Sequence, residues 1–255
     1  MTFKKALAAS SGTPLLGAFI GMASPPLAEM AARAGFDFII FDGEHGVFSR
    51  LEMEECLRSA RFRGTPAIVR TADADPTGIQ AALDSGATGI QVPSVVTAAE
   101  ADAIVIASQF PPRGRRGFGS TTSTAGYGFR QRSDVMSEAQ AETVVAIQVE
   151  SRRGVDQLTH ILTVEGVDAV FLGTSDLSLD YGFPTPADQR MVGLLQKLIP
   201  MIVASGKACG VHVTDLEQIN PLRSLGVRYF TVSVMALIVQ SLQAAVKDFR
   251  SHVEY

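Results

Sequence analysis

One pattern recurs eight times along the 255 residues: an apolar run, a polar or glycine-containing joint, then an amphipathic segment. The runs are Leu15–Ile20, Phe36–Phe41, Pro66–Arg70, Gly89–Pro93, Val144–Val149, Ala169–Leu172, Gly210–Val213 and Tyr229–Val234. Short apolar strands alternating with helices imply parallel pairing through right-handed crossovers. Eight units in a chain of about 250 residues match one β/α barrel. The expected architecture is therefore a single (β/α)8 TIM-type barrel spanning residues 1–255 as one domain.

Punctuation supports that reading. Ser24-Pro25 and Asp75-Pro76 each offer an N-cap followed by proline in the first turn. Ser49-x-x-Glu52, Thr97-x-x-Glu100 and Thr214-x-x-Glu217 read as capping boxes. Gly35, Gly64, Gly86, Gly166, Gly206 and Gly226 stand where helices should stop before the next strand. A doubly wound nucleotide-binding sheet would need G-x-G-x-x-G after its first strand, but that joint reads Gly21-Met22-Ala23-Ser24-Pro25. The glycines of Arg113–Gly119 have the wrong spacing and follow a helix.

Composition narrows the function. Apolar residues at 46% and charged residues at 19% exclude a disordered chain. A net charge of −4 without a basic stripe argues against nucleic acid. Cys56 and Cys209 make no disulfide framework and fit a reducing cytoplasm. Lys4 and Lys5 precede a mildly apolar stretch, Ala6 to Ala23, but Ser10-Ser11-Gly12-Thr13-Pro14 interrupts it, against a signal peptide. No apolar run reaches the length of a membrane span, about 18 residues.

In a barrel the carboxyl ends of the strands carry the chemistry. Asp42-Gly43-Glu44-His45-Gly46 follows the second run, Arg70 closes the third, Gln148-Val149-Glu150 ends the fifth, and Gly173-Thr174-Ser175-Asp176 follows the sixth. Gln148 and Glu150 share one strand face. With Val145, Ile147 and Val149 turned to the helices, that face is the barrel interior. An inward Glu must be paired, protonated or bound to a cation. Asp176 can offer a second oxygen, and two carboxylates with open positions suit Mg²⁺ or Mn²⁺. The competing reading pairs Glu150 with Arg70 or Arg152. His45 reads as a base in the company of Asp42 and Arg70, or as a structural histidine. Arg70 suits either a structural ion pair or a substrate carboxylate or oxo group. His160, His212 and His252 fall within a helix, within a strand and at the tail, and weigh less.

Together these segments resemble the HpcH/HpaI family of metal-dependent class II pyruvate aldolases. The likeness is carried by Phe36-Asp37, Phe41-Asp42-Gly43-Glu44-His45, Ile68-Val69-Arg70, Leu83-Asp84-Ser85-Gly86, Val92-Pro93 and Pro111-Pro112 with Arg116-Gly117. It continues through Ile147-Gln148-Val149-Glu150, Glu165-Gly166-Val167-Asp168 and Gly173-Thr174-Ser175-Asp176-Leu177. It implies a cytoplasmic enzyme that cleaves 4-hydroxy-2-oxo acids to pyruvate and an aldehyde, and runs the reverse addition. It implies that Glu150 and Asp176 bind Mg²⁺, Mn²⁺ or Co²⁺. Gln148, Gly173, Thr174 and the Ser175 amide would then hold the 2-oxo acid. Arg70 would stabilise the enolate, and His45 would act as base beside Asp42 and Asp84. A homo-oligomer, a hexamer, is implied as well, and the apolar last helix, Met235 to Phe249, suits a subunit contact. Other readings are a decarboxylase of oxaloacetate-type acids and a non-catalytic 2-oxo-acid binding protein. Thr174 in place of a proline, Arg113 and Arg115, and the Ser/Thr-rich stretch Gly119 to Tyr127 depart from the family pattern and are expected at the substrate mouth. A Schiff base is not expected, because Lys4, Lys5, Lys197, Lys207 and Lys247 all lie away from strand carboxyl ends.

Overall fold

A computed structural model describes residues 2–9 and 12–253. The strands are β1 (Leu15–Ile20), β2 (Phe38–Asp42), β3 (Ala67–Arg70), β4 (Gly89–Val92), β5 (Val144–Val149), β6 (Ala169–Leu172), β7 (Ala208–His212) and β8 (Tyr229–Ser233). They close into one parallel barrel in sequence order, β8 pairing with β1. The helices before β4 are α1 (Phe3–Ala8), α2 (Pro25–Ala34), α3 (Arg50–Phe62) and α4 (Pro76–Asp84). Then come α5 (Ala98–Ser108), α6 (Arg132–Glu142), α7 (Arg152–Asp156), α8 (Leu158–Ile161) and α9 (Thr174–Asp180). The last three are α10 (Gln189–Ala204), α11 (Ile219–Ser224) and α12 (Val234–His252). The expected barrel is the observed one.

Alternation along each strand divides the core in two. Ile39, Phe41, Val145, Ile147 and Val149 face outward into the layer shared with the helices, whereas Phe38, Ile40, Val144 and Ala146 fill the interior. The amino-terminal mouth is plugged by α1, whose Phe3 and Leu7 join the interior cluster, Phe3 lying 5.1 Å from the Phe38 ring. Lys4 ties this plug to Asp168 at 3.0 Å and to the Thr143 carbonyl at 2.8 Å. The start of the stretch weighed as a leader is thus part of the core; Ser10 and Ser11 lie outside the described residues.

Ser49 and Thr97 form both halves of their capping boxes. The third expected box is absent: Asp215, not Thr214, takes the Glu217 amide and opens a short 3-10 turn, because an Asx turn satisfies that donor first. Two strands are shifted. β2 begins two residues later than expected because Phe36 still donates to the Ala31 carbonyl at the end of α2, and β2 runs on to include Asp42. β7 begins earlier, at Ala208, whose amide donates to the Asp168 carbonyl. Among the described residues no helix is long and apolar enough to cross a membrane.

Candidate active site

Asp42 and Arg70 are the last residues of β2 and β3 and stand opposite each other in register. Both side chains therefore meet above the barrel interior. Arg70 grips Asp42 through Nε to Oδ1 at 2.8 Å and Nη2 to Oδ2 at 2.7 Å. The same Oδ1 accepts the amides of Glu44 and His45, which shapes the turn carrying His45. Burial alone would raise the Asp42 pKa, but the Arg70 hydrogen bonds and charge, with the two amides, hold it below 3.8. Gly46 is required here, since a Cβ would strike the Asp42 and Gly21 carbonyls.

Arg70 Nη1 also lies 2.7 Å from Glu44 Oε2, although no N–H points at that oxygen. Burial pushes the Glu44 carboxyl up, against the attraction of Arg70. Two of the five guanidinium N–H groups are bonded to Asp42, which leaves donors for another oxygen. The Arg70 plane covers the Phe19 ring at 4.9 Å.

Glu150 is buried without a cationic partner among the described residues. Its Oε1 accepts the Ser94 amide at 2.7 Å and the Ser94 hydroxyl at 3.0 Å, and its Oε2 accepts Gln148 Nε2 at 2.7 Å. Gln148 is fixed in turn by Gln91, 2.5 Å from its Oε1. The Arg-paired reading of Glu150 is excluded: Arg70 holds Asp42, and Arg152 stacks on Tyr181 at 4.6 Å and bonds the Asp180 carbonyl. Gly173 leaves the space Glu150 occupies, because a Cβ there would stand 2.5 Å from Oε2.

Thr174, Ser175 and Asp176 form the first turn of α9. Leu177 donates the first intrahelical bond to Gly173, so the three amides before it are unused within the helix. A cavity of about 340 Å³ brings together His45, Arg70, Gln148, Glu150, Gly173, Thr174, Ser175 and Asp176. His45 stands at its rim with its side chain 71% exposed. No group of three or more His, Cys, Asp or Glu forms a metal cage among the described residues. Glu150 and Asp176 offer two hard oxygen donors to a cavity open to solvent, a set that would fit a cation that keeps water or takes substrate.

Asp84 does not belong to this cavity. It ends α4, which leads into β4 at the opposite face of the barrel, and accepts from Arg116 at 2.8 Å and Gln80 at 3.4 Å. The loop after α5 gathers at that same face, where Thr124 bonds the Leu83 carbonyl and Ser123 accepts from Arg61. Arg113, Arg115 and Gly119 to Tyr127 thus lie away from the substrate mouth of their own chain, because α5 runs back to the amino-terminal end. Thr174 alone of the departures lines the cavity.

Three groups escape a reading by motif. Ser94 binds Glu150 from a left-handed backbone, φ 57°, unusual for a non-glycine residue. Gln91 is fully buried and steers Gln148. His212 ends β7, lines the cavity and bonds Thr231 Oγ1 through Nδ1 at 3.0 Å. Burial, and then the charge of Arg70, push its pKa below 6.5. The shifted strand boundary hid it; the two-residue spacing from Ala208 and Gly210 was the available signal.

The chain matches the model of the family described as HpcH/HpaI aldolase/citrate lyase over residues 15–228. It is 34% identical over 252 residues to the hydroxypyruvate/pyruvate aldolase of Roseovarius nubinhibens, covering 98% of this chain and 97% of that one. With the 4-hydroxy-2-oxo-heptane-1,7-dioate aldolase of Escherichia coli it shares 33% identity over 250 residues, 97% and 94% of the two chains. The crystal structure of an HpcH/HpaI aldolase from Desulfitobacterium hafniense superposes with a TM-score of 0.91 at 26% identity, covering 98% and 97%.

Proposed function

The chain belongs to the HpcH/HpaI aldolase/citrate lyase family, and from that premise we propose that it is a divalent-metal-dependent class II pyruvate aldolase. It cleaves a 4-hydroxy-2-oxo acid to pyruvate and an aldehyde and catalyses the reverse addition. The observation that carries the reading is the buried Glu150, held by three neutral donors and free of any arginine, facing the same cavity as Asp176. Mg²⁺, Mn²⁺ or Co²⁺ would be held by these two carboxylates and would supply Lewis-acid polarisation of the 2-oxo acid.

The chain's own groups do the rest. The Ser175 amide and the free N–H of Gln148 orient the 2-oxo acid. His45, directly or through one water, removes the proton of the 4-hydroxyl. The C3–C4 bond breaks, its electron pair passes into the pyruvate enolate, and the aldehyde leaves. Arg70, aimed by Asp42, turns its remaining N–H groups to the enolate oxygen. A proton delivered to C3 then gives pyruvate. Because Asp84 lies at the other face of its own barrel, it meets His45 only if a second subunit supplies it; we place it there, in a homo-oligomer.

Turnover of pyruvate with a panel of aldehydes, and of oxaloacetate, tests the reading. Chelation by EDTA abolishes aldol turnover and Mg²⁺, Mn²⁺ or Co²⁺ restores it, while borohydride with pyruvate traps no lysine adduct. His45→Ala lowers turnover about 100-fold or more while 2-oxo-acid binding persists. Arg70→Lys lowers kcat more than affinity, because lysine keeps charge without the fork. Full activity in chelator would sink the mechanism. Carbon dioxide release from oxaloacetate without any aldol product would replace it by a decarboxylase.

A further inference from the structure

The cavity wall facing the carboxylates is built by the ends of β7, β8 and β1. Phe19 makes it aromatic, with Phe171 of the neighbouring β6 beside it, and His212 and Ser233 are its polar points. The ring of His212 stands edge-on to Phe19, with centroids 6.2 Å apart at 82°, and Arg70 covers that same Phe19. One imidazole nitrogen, Nδ1, is engaged by Thr231 Oγ1, and Thr231 is itself fully buried. The other, Nε2, has no partner among the described residues and is not among their sealed polar atoms, so it opens to the cavity.

We infer that His212 is a specificity-determining residue that hydrogen-bonds a hydroxyl group of the substrate. The inference rests on the aldolase reading and deepens it. A methyl group against this wall leaves Nε2 unpaired, whereas a hydroxyl gives it a hydrogen-bond partner. A carboxylate is the poorer match, because the imidazole is held neutral by burial and by Arg70, which already provides the local positive charge. The hydroxyl is carried either on C3 of the 2-oxo acid or on C2 of the aldehyde. Ser233, whose Oγ accepts the Ala236 amide, retains its own O–H for the same group.

The test compares substrate pairs that differ by that hydroxyl in the wild type, His212→Leu and His212→Asn. Hydroxypyruvate against pyruvate, with one common aldehyde, reads the donor. Glycolaldehyde against acetaldehyde, with pyruvate, reads the acceptor. In one arm His212→Leu lowers the ratio of kcat/KM for the hydroxylated over the plain substrate about tenfold. His212→Asn, which keeps a hydrogen-bonding group, restores part of it. Equal losses for both members of each pair, or unchanged ratios, would overturn the inference. If the wild type turns over no pair, the aldolase reading fails separately. Titration with hydroxypyruvate and pyruvate in the presence of Mg²⁺ then decides on His212. A hydroxyl preference lost in His212→Leu supports the inference, and no preference, or one the substitution leaves intact, overturns it.

Discussion

Ser94 gives both its backbone amide and its hydroxyl to a single oxygen of Glu150, from a left-handed conformation that few serines adopt. Strained backbone of this kind persists where neighbouring structure fixes it, and it concentrates at working sites. Ser94→Ala removes one of three donors and leaves the backbone in place. Mn²⁺ binding, followed by calorimetry or by the electron paramagnetic resonance of free Mn²⁺, weakens about tenfold. Unchanged affinity would mean that the amide alone positions the carboxylate.

Gly173→Ala acts on the same carboxylate by steric means. The added methyl lies 2.5 Å from Glu150 Oε2 and 2.7 Å from its Cβ, so the side chain must move. Metal-dependent turnover falls about 100-fold, a loss of the size seen when ligand orientation is disturbed, and the circular dichroism spectrum is retained. Turnover within a factor of two of wild type would show that Glu150 can retreat without loss.

The Asp42–Arg70 pair makes stability depend on acid. The folded pKa of Asp42 lies below 3.8, so its contribution is complete above that value and is lost as the pH falls through the folded pKa. Glu44, raised above 4.5 by burial, works in the opposite sense as the pH rises from that value through its folded pKa. Asp42→Asn is therefore best compared in a Glu44→Gln background. At pH 7 the substitution destabilises by about 2 kcal/mol. The difference shrinks as denaturation is followed below pH 3.8. A difference that stays constant with pH would place the effect in packing, not ionisation.

The last helix carries an uncovered apolar face. In α12 only Val234 is buried, Met235 and Ile238 touch the core, and Leu242 and Phe249 are 63% and 65% exposed. Monomers rarely leave such a stripe open. A charge at either position, Leu242→Glu or Phe249→Glu, is expected to lower the mass measured by sedimentation velocity and, with it, turnover, if Asp84 is supplied by a neighbour as proposed. A wild-type monomer would remove both expectations.

Most of the fold was legible because barrel strands are apolar on both faces and helix stops are marked by glycine. Gly35 and Gly226, for instance, adopt φ of 96° and 105° as helix ends require. That His45, Arg70, Gln148, Glu150 and Asp176 gather round one cavity was legible because polar groups at the carboxyl ends of barrel strands converge there. What the sequence hid was directional. Asp84 sits on the far face because a helix returns the chain to the start of the next strand. Ser94 carries no signal, since nothing local asks a serine to be left-handed. His212 was masked by a boundary error of one residue at the carboxyl end of β7.

The two walls of the cavity are also built to different tolerances. From β2 to β5 the polar groups are bonded in two sets: Asp42 to Arg70, and Gln91 to Gln148, Gln148 to Glu150 and Glu150 to Ser94. A change within either set propagates to its other members. On β7, β8 and β1 the facing groups, His212, Ser233 and Phe19, share only an edge contact between rings and none of those bonds. Variation at His212 and Ser233 breaks none of those bonds, whereas Phe19 lies under the Arg70 guanidinium. On the proposed mechanism, a site assembled in this way can drift among acceptors while its enolate-stabilising side is inherited unchanged, and libraries confined to His212 and Ser233 sample new selectivity at little risk to the fold.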